Sequence, residues 1–475
     1  MSGLFRKFIE FAIGNGLVMI LGLISTPIVS RMLLPIEKGK ADIFVTYTSL
    51  IVLVITMGID QAYIRFFNDE DENCKGDLLR KSIKFPVLLN IILGAILILF
   101  YKPVSNYMVK ETSLVLVVLF AFHSFITIIS NFALINIRMK QKAKTYSTLG
   151  VINKIAFIIF IILIYKIFGG NYITLVLATV LSNLVMTLMG VLIEKEDWFK
   201  FNKNFKSKTS TRDLIIYGSP FILSMGITWV FQSIDRISIQ LFSDYEQLGL
   251  YGGAMYFISI LNTVQGAFTT FWTPVAYEKF STNPEDRKFF SNINEIVSLF
   301  MLIIAIGVIA FKDVLIIILG SDYEGSQFIF PFLVLMPIMY TISETTVLGI
   351  NFKKKTKYHI YIAVASAVAN IIGNFVLVPR LGAKGAAIST GLAYVVFFAS
   401  RTYLGNKLYK INVNLKKFFI GVIAVYVLAA FSSIYRINLI IVILTLVSTT
   451  VVCLLYRNVI KDLFDIVNKK LKTRK

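Results

Sequence analysis

Fourteen apolar stretches of about 17 to 25 residues, separated by short polar breaks, constrain this chain more than any motif it carries. They fall near 8–30, 42–64, 83–101, 113–137, 147–168, 172–192, 214–239, 248–275, 293–311, 328–352, 358–378, 385–406, 418–434 and 437–456. In hydrocarbon each backbone N–H and C=O has to be satisfied within its own segment, so runs of this length read as transmembrane helices. The expectation is an all-α polytopic membrane protein. The composition agrees: with 56% hydrophobic and 16% charged residues over 475 positions, and a mean hydropathy of +0.75, the chain is too apolar for a soluble fold. The polar breaks are too short to build a water-soluble domain, which argues against a catalytic domain outside the bilayer and leads us to expect no enzymatic activity. Spans 13 and 14 are parted only by Ser432 to Asn438, and one long bent helix is the competing reading there. The first run lacks a small-residue cleavage site and is expected to remain as the first helix.

A net charge of +21 would suggest nucleic acid in a soluble protein, so the position of the 48 Lys and Arg residues matters. With the N-terminus on the cytoplasmic side, and with Lys84 and Lys166 at span ends counted with the adjoining segments, 35 of them fall on inner segments, 10 on outer segments, and Lys154, Arg236 and Arg401 fall deeper inside spans. This excess fixes orientation by the positive-inside rule and places both termini in the cytoplasm. The run Lys353, Lys354, Lys355 and Lys357 then serves topology against an anionic leaflet, and no nucleic-acid partner is expected. Cys74 and Cys453 lie far apart without ligand spacing, and His123 and His359 form no cluster, so neither a disulfide nor a metal site is expected. The two histidines read as packed or interfacial residues. No GxxxxGK[ST] segment is present, so no built-in ATPase is expected, and no cofactor is implied.

Spans 1 to 6 and 7 to 12 read as two copies of one unit. The second helix of each follows a similar turn, Leu34-Pro35-Ile36-Glu37-Lys38-Gly39 and Asp244-Tyr245-Glu246-Gln247-Leu248-Gly249, offset by about 210 residues. An even number of spans per copy makes them parallel repeats about an axis along the membrane normal, an arrangement that in transporters leaves a cavity between halves. The expected organisation is an N-terminal lobe at 1–192, a cytoplasmic linker at 193–213 and a C-terminal lobe at 214–406. Residues 407–475 hold the appended helix pair and a basic cytoplasmic tail. Gly14, Asn15, Gly16 and Pro27 in span 1, Gly218 and Pro220 in span 7, and Gly266 and Pro274 in span 8 serve either close packing or bending between inward and outward states.

Intramembrane charge is the most informative local feature, because an ionised group at the bilayer centre costs about 2.5 to 3.5 kcal/mol on insertion scales. Asp60, Arg65, Lys154, Glu344 and Arg401 fall in the cytoplasmic third, and Asp235 and Arg236 near the outer end of span 7. The bland role is snorkelling or interhelical salt bridging. The alternative is a water-filled inner vestibule in which the cations meet a phosphate or diphosphate, while Glu344 or Asp60 exchanges a proton or binds Na+.

Four motifs then carry a resemblance. Ser30-Arg31-Met32-Leu33-Leu34-Pro35 with Glu37 and Gly39, and Gly58-Ile59-Asp60-Gln61-Ala62-Tyr63-Ile64-Arg65-Phe66, resemble the opening signature of polysaccharide flippases. These are the Wzx-type members of the multidrug, oligosaccharidyl-lipid and polysaccharide exporter superfamily. Ser233-Ile234-Asp235-Arg236 with Leu248-Gly249-Leu250-Tyr251 is similar to the family's "DR...G.Y" segment. Asn374 to Pro379 with Leu381-Gly382-Ala383-Lys384-Gly385-Ala386-Ala387 is similar to its loop between spans 11 and 12. Leu34-Pro35 stands where a Leu-Gly pair is more usual. The resemblance covers essentially the whole chain. It implies a bacterial cytoplasmic-membrane transporter that moves a polyprenyl-diphosphate-linked oligosaccharide outward by alternating access for O-antigen, capsule or exopolysaccharide synthesis. A proton or Na+ is the counter-ion it implies, with polysaccharide assembly proteins as partners. On that reading Arg65, Lys154 and Arg401 attract the diphosphate, Asp235 and Arg236 take part in the outer gate, and Asp60 and Glu344 serve gating or ion coupling. The rivals are a cation-coupled drug antiporter or a lipid II flippase of the same superfamily and, from another class, a membrane glycosyltransferase or polymerase, which the short outer loops disfavour.

Overall fold

Every one of the fourteen apolar segments coincides with helix in the computed structural model, which describes the backbone of residues 2–200 and 206–472 and the side chains of 16–200 and 206–465. In chain order the helices begin with α1 (Ser2–Met32), α2 (Pro35–Thr56), α3 (Ile59–Phe66), α4 (Lys75–Leu99), α5 (Tyr101–Val109), α6 (Leu114–Met139), α7 (Ala143–Phe168), α8 (Tyr172–Ile193) and α9 (Lys195–Phe199). They continue with α10 (Thr211–Phe242), α11 (Tyr245–Thr282), α12 (Arg287–Ala310), α13 (Lys312–Leu315), α14 (Phe330–Leu333), α15 (Leu335–Glu344) and α16 (Leu348–Phe352). The last are α17 (Lys357–Leu381), α18 (Ala383–Leu408), α19 (Leu415–Ser432), α20 (Leu439–Leu455) and α21 (Arg457–Lys472). Among the described residues ten helices are long and apolar enough to cross a membrane, and up to twelve if each of two bent pairs counts as one span. Spans 13 and 14 are separate helices, α19 and α20, with Asn438 capping the second through the amide of Ile441.

Two of the expected continuous spans are broken. The second, 42–64, ends at Thr56 and resumes at Ile59 because Met57 and Gly58 are both left-handed, with φ of 49° and 68°. Gly58 is required there twice over: its φ is left-handed, and a Cβ would strike the carbonyl of Gly218 on α10. Asp60 and Arg65 therefore ride on the short α3 and not within a through-going span. The tenth, 328–352, is cut after Glu344. Thr341, Ser343, Thr345 and Thr346 turn their hydroxyls onto carbonyls three or four residues back, competing with the helical ladder. The expected loop between spans 11 and 12 shrinks to the single residue Gly382, with α17 running on through Pro379.

The chain divides into two compact units, Met1–Arg236 and Ile237–Lys475, with the division falling inside α10. In the first unit α8 packs on α6 and α7, α7 on α1, and α4 on α6. Its core joins Phe44, Phe120 and Ile161 in one cluster and Val52, Tyr63, Leu78 and Phe132 in another. In the second, α18 packs on α15 and α17, and α12 on α15, α19 and α20. Trp272, Phe290 and Tyr409 are buried there, and Phe280 and Phe289 pack around them. The outward residues of the spans stay apolar: Leu99, Ile167, Leu223 and Leu439 are among the most exposed side chains, as a lipid-facing surface requires.

The repeat is visible in a contact that each unit makes by itself. Glu37, at the start of α2, accepts a hydrogen bond at 2.7 Å from the amide of Tyr172 at the start of α8. Gln247, 210 residues later at the start of α11, accepts one at 3.3 Å from the amide of Ala383 at the start of α18. In each copy the turn before the second helix thus caps the N-terminus of the sixth, where backbone donors lack intrahelical partners.

On the basic side of the first unit, the segment 206–210 is strapped onto the connection between α3 and α4. Glu70 accepts from the amides of Lys208 and Thr209 and from the Thr209 hydroxyl. Asp77 accepts from the amide of Ser207, and Lys81 donates to the carbonyls of Ser207 and Thr209. Residues 201–205 of the expected linker lie outside the described residues.

Candidate functional site

Of the seven charged residues singled out in the sequence, two meet. Glu344, the last residue of α15, lies where that helix packs on α18, and there Arg401 Nη2 donates to its Oε1 at 2.8 Å and Nη1 donates to Ser343 Oγ at 2.7 Å. Both side chains are buried, Arg401 at 5% and Glu344 at 8% exposure, so the pair is an interhelical salt bridge with little access to water. The guanidinium lies 5.1 Å from the Tyr340 ring and 5.0 Å from the Phe397 ring, a double cation–π contact. Its Nε, buried as well, has no hydrogen-bond partner among the described residues. Around the pair the freed polar groups of the break find partners. Trp272 Nε1 donates to the Glu344 carbonyl at 3.2 Å, Asn294 Nδ2 to Thr345 Oγ1 at 2.7 Å, and the hydroxyls of Thr346 and Thr402 share a 2.8 Å bond. Backbone approaches closely here, since a Cβ at Gly405 on α18 would meet the Thr346 carbonyl.

The other five belong to the first unit. Arg65 pairs with Asp69 at 2.7 Å on an exposed surface. Asp60 accepts from the side-chain amide of Gln61 at 2.6 Å through Oδ2, while its Oδ1, like the Thr56 hydroxyl, is buried without a hydrogen bond among the described residues. Lys154, midway along α7, is half-buried and meets no anion among the described residues. Asp235 is buried at 5% exposure and Arg236 is half-buried, both on α10. The two histidines are packed as expected. His123 is buried, stacked on Phe44 at 5.4 Å and 3.4 Å from the Thr48 hydroxyl, and His359 Nε2 is 2.9 Å from Asn351 Oδ1.

Sequence reasoning missed two polar networks. Between α17 and α18, the Ser389 hydroxyl donates to Asn370 Oδ1 at 2.8 Å, and Asn374 Nδ2 donates to the same oxygen at 2.9 Å. At the basic end of the first unit, Tyr63 donates to Asn136 at 2.9 Å, Asn136 donates to Asp197 at 2.8 Å, and Lys140 pairs with Asp197 and with Glu194. There burial opposes the charged form of Lys140, but its bonds to Asp197 and Glu194 outweigh it and hold the ammonium above the ordinary lysine range. The signals for both were present: asparagines at i, i+4 inside an apolar run, and Asn136 two residues before Arg138.

An all-helical, multi-span chain with a two-copy repeat, broken spans and buried intramembrane charge has the architecture of a flippase or transporter. Residues 4–279 match the family described as polysaccharide biosynthesis protein, and the chain belongs to that family. Its fold is similar to that of the lipid II flippase MurJ in an inward closed conformation, with a TM-score of 0.72 and 15% identity over 95% of this chain and 100% of that one. It is also similar to an outward-facing multidrug resistance MATE family transporter of the MOP superfamily, with a TM-score of 0.53 and 15% identity over 85% of this chain and 95% of that one. An uncharacterized membrane protein of Methanocaldococcus jannaschii is 22% identical over 408 residues, 80% of each chain.

Proposed function

We propose that the protein is a flippase that carries a polyprenyl-diphosphate-linked oligosaccharide from the inner to the outer leaflet for cell-surface polysaccharide synthesis. The family match over residues 4–279 is the observation that carries this reading. The physics is consistent with it: a glycan head group is too polar to cross hydrocarbon unaided, so it needs a hydrated, cationic path while its lipid tail stays in the bilayer. On this proposal the protein transports and does no covalent chemistry, in the cytoplasmic membrane of a bacterium with both termini inside. O-antigen, capsule and exopolysaccharide precursors all have the chemistry required.

Lys154 is the residue we assign first to the diphosphate, because no anion among the described residues compensates it. Arg65 and Arg401 would join only by leaving Asp69 and Glu344. Protonation of Glu344 would loosen Arg401, so we assign that pair the coupling step, with a proton as counter-ion and Na+ as its rival. Asp60 is a second coupling candidate and Asp235 with Arg236 an outer gate. In a strain lacking the gene, an impermeant glycan-oxidising label on intact spheroplasts reports the side on which diphosphate-linked oligosaccharide accumulates. Accumulation on the inner side, reversed by the wild-type gene but not by Lys154→Ala at equal protein level, is the expected result. Normal surface glycan with no trapped intermediate rejects the reading. A block that instead halts lipid II export selects the lipid II flippase, and drug hypersensitivity alone selects the antiporter.

A further inference from the structure

Two cavities of the second unit, different in character, meet at the same pair of lysines. The first, of about 460 Å³, runs between the C-terminal half of α18 and the start of α19 and is walled by Phe398, Ala399, Tyr403, Leu415 and Phe419. The second, of about 430 Å³, lies at the basic end of the unit and includes Arg287, Lys353 and Glu285. Asn406, Lys407 and Lys410 line both. Lys407, Lys410 and Lys353 are exposed and make no ion pair among the described residues, whereas Arg287 sits 3.3 Å from Glu285 and over the Tyr409 ring. The basin therefore holds four cations against one carboxylate, next to an apolar groove in which Tyr403 is 70% exposed and Leu415 39%.

We propose that this paired cavity is a binding site for an anionic glycerophospholipid of the surrounding leaflet. The phosphate takes Lys407 and Lys410 with Lys353 and Arg287 beside them, and an acyl chain lies along Phe419, Leu415 and Tyr403. Charge complementarity selects an anionic head over a zwitterionic one, and near a membrane surface each Lys or Arg contributes about 1 kcal/mol to such attraction. The site lies on the side that the positive-inside count assigns to the cytoplasm, where anionic lipid is abundant. A phosphodiester head fits the basin of about 430 Å³, and the displacement arm of the test separates it from a transported oligosaccharide precursor. The inference holds whether or not the transport reading does, because it rests on this unit's cavities alone.

The test uses the full-length protein purified in a neutral detergent, carrying Phe419→Trp and titrated with brominated phosphatidylglycerol or brominated phosphatidylcholine. With the signal of the unsubstituted protein, which carries Trp198, Trp229 and Trp272, subtracted, expected is saturable quenching by phosphatidylglycerol at several-fold lower mole fraction than by phosphatidylcholine. Lys407→Ala with Lys410→Ala should abolish that preference, Lys407→Arg with Lys410→Arg should keep it, and Lys102→Ala with Lys110→Ala, exposed lysines on α5 and at its C-cap in the first unit, should leave it unchanged. Equal quenching by the two lipids, or a preference that survives loss of both lysines, overturns the site. Displacement of brominated phosphatidylglycerol by a polyprenyl diphosphate at equal mole fraction would assign the cavity to the transported lipid and overturn the choice made here. Both lysines are exposed and unpartnered, so the variants should fold, which the gel-filtration profile reports independently.

Discussion

At the scale of single residues, the Arg401 and Glu344 pair gives the sharpest energetic statement. Removing one partner of a buried pair strands the other charge, at a cost of about 3 to 5 kcal/mol, whereas replacing both with apolar groups is often neutral. Arg401→Met should therefore lower the thermal midpoint in detergent well below wild type, and Arg401→Met with Glu344→Leu should recover most of the loss. A double variant as unstable as the single one would mean that Ser343, Tyr340 and Phe397, not Glu344, are what Arg401 holds together. Transport should fail in both variants if the pair performs the coupling step. The charges themselves could be read directly from the sequence, because ionised residues inside apolar runs are conspicuous. Their pairing could not: Glu344 and Arg401 are 57 positions apart, and it is the packing of α15 on α18 that brings them together.

At the scale of elements, hydropathy reports length and polarity but is blind to backbone dihedral angles. This explains why the extents of α6, α7 and α8 could be foreseen while the breaks at Met57–Gly58 and after Glu344 could not. The Ser-Glu-Thr-Thr run at 343–346 did carry the information, since hydroxyls bonding back to carbonyls destabilise helix interiors. Gly58→Ala should be severely destabilising, losing more than the roughly 1 kcal/mol of an ordinary helix-interior exchange, because it combines a left-handed φ with a collision against the Gly218 carbonyl. Gly226→Ala on the same α10, where a Cβ would meet nothing within 4 Å, should be neutral or slightly stabilising in the same melt. The strap at 206–210 adds a pH dependence. Burial opposes ionisation of Glu70, but the Thr209 hydroxyl and the amides of Lys208 and Thr209 outweigh it and hold the carboxyl below the usual range. A depressed carboxylate stabilises docking above its unfolded value and loses that contribution as pH falls through the folded one. A nitroxide at Lys206→Cys, with Cys74 and Cys453 replaced by serine, should be restrained at neutral pH and mobile in acid. In Glu70→Gln it should be mobile at both.

At the scale of the whole chain, the sequence repeat and the charge asymmetry make claims that can be weighed separately. The turns at Glu37 and Gln247 looked alike only loosely, yet each caps the helix that closes its own copy, so the 210-residue offset has a physical content: one carbonyl-type oxygen per repeat meeting the first free amide of the sixth span. The two caps differ in strength. Glu37 is charged, its bond is shorter, and it also pairs with Lys40 at 3.3 Å, while Gln247 makes a neutral bond at 3.3 Å. Charge-assisted bonds contribute about 1.5 to 3 kcal/mol and neutral ones about 0.5 to 1.5 kcal/mol. Glu37→Ala should then lower stability more than Gln247→Ala, and Glu37→Gln should bring the first repeat to the level of the second. If the repeats share one construction, Gln247→Glu should strengthen the second cap in turn, read as a higher thermal midpoint and slower exchange of the Ala383 amide. An unchanged Ala383 amide in Gln247→Glu, alongside a protected Tyr172 amide in wild type, would show that the offset preserves the turn without preserving its job.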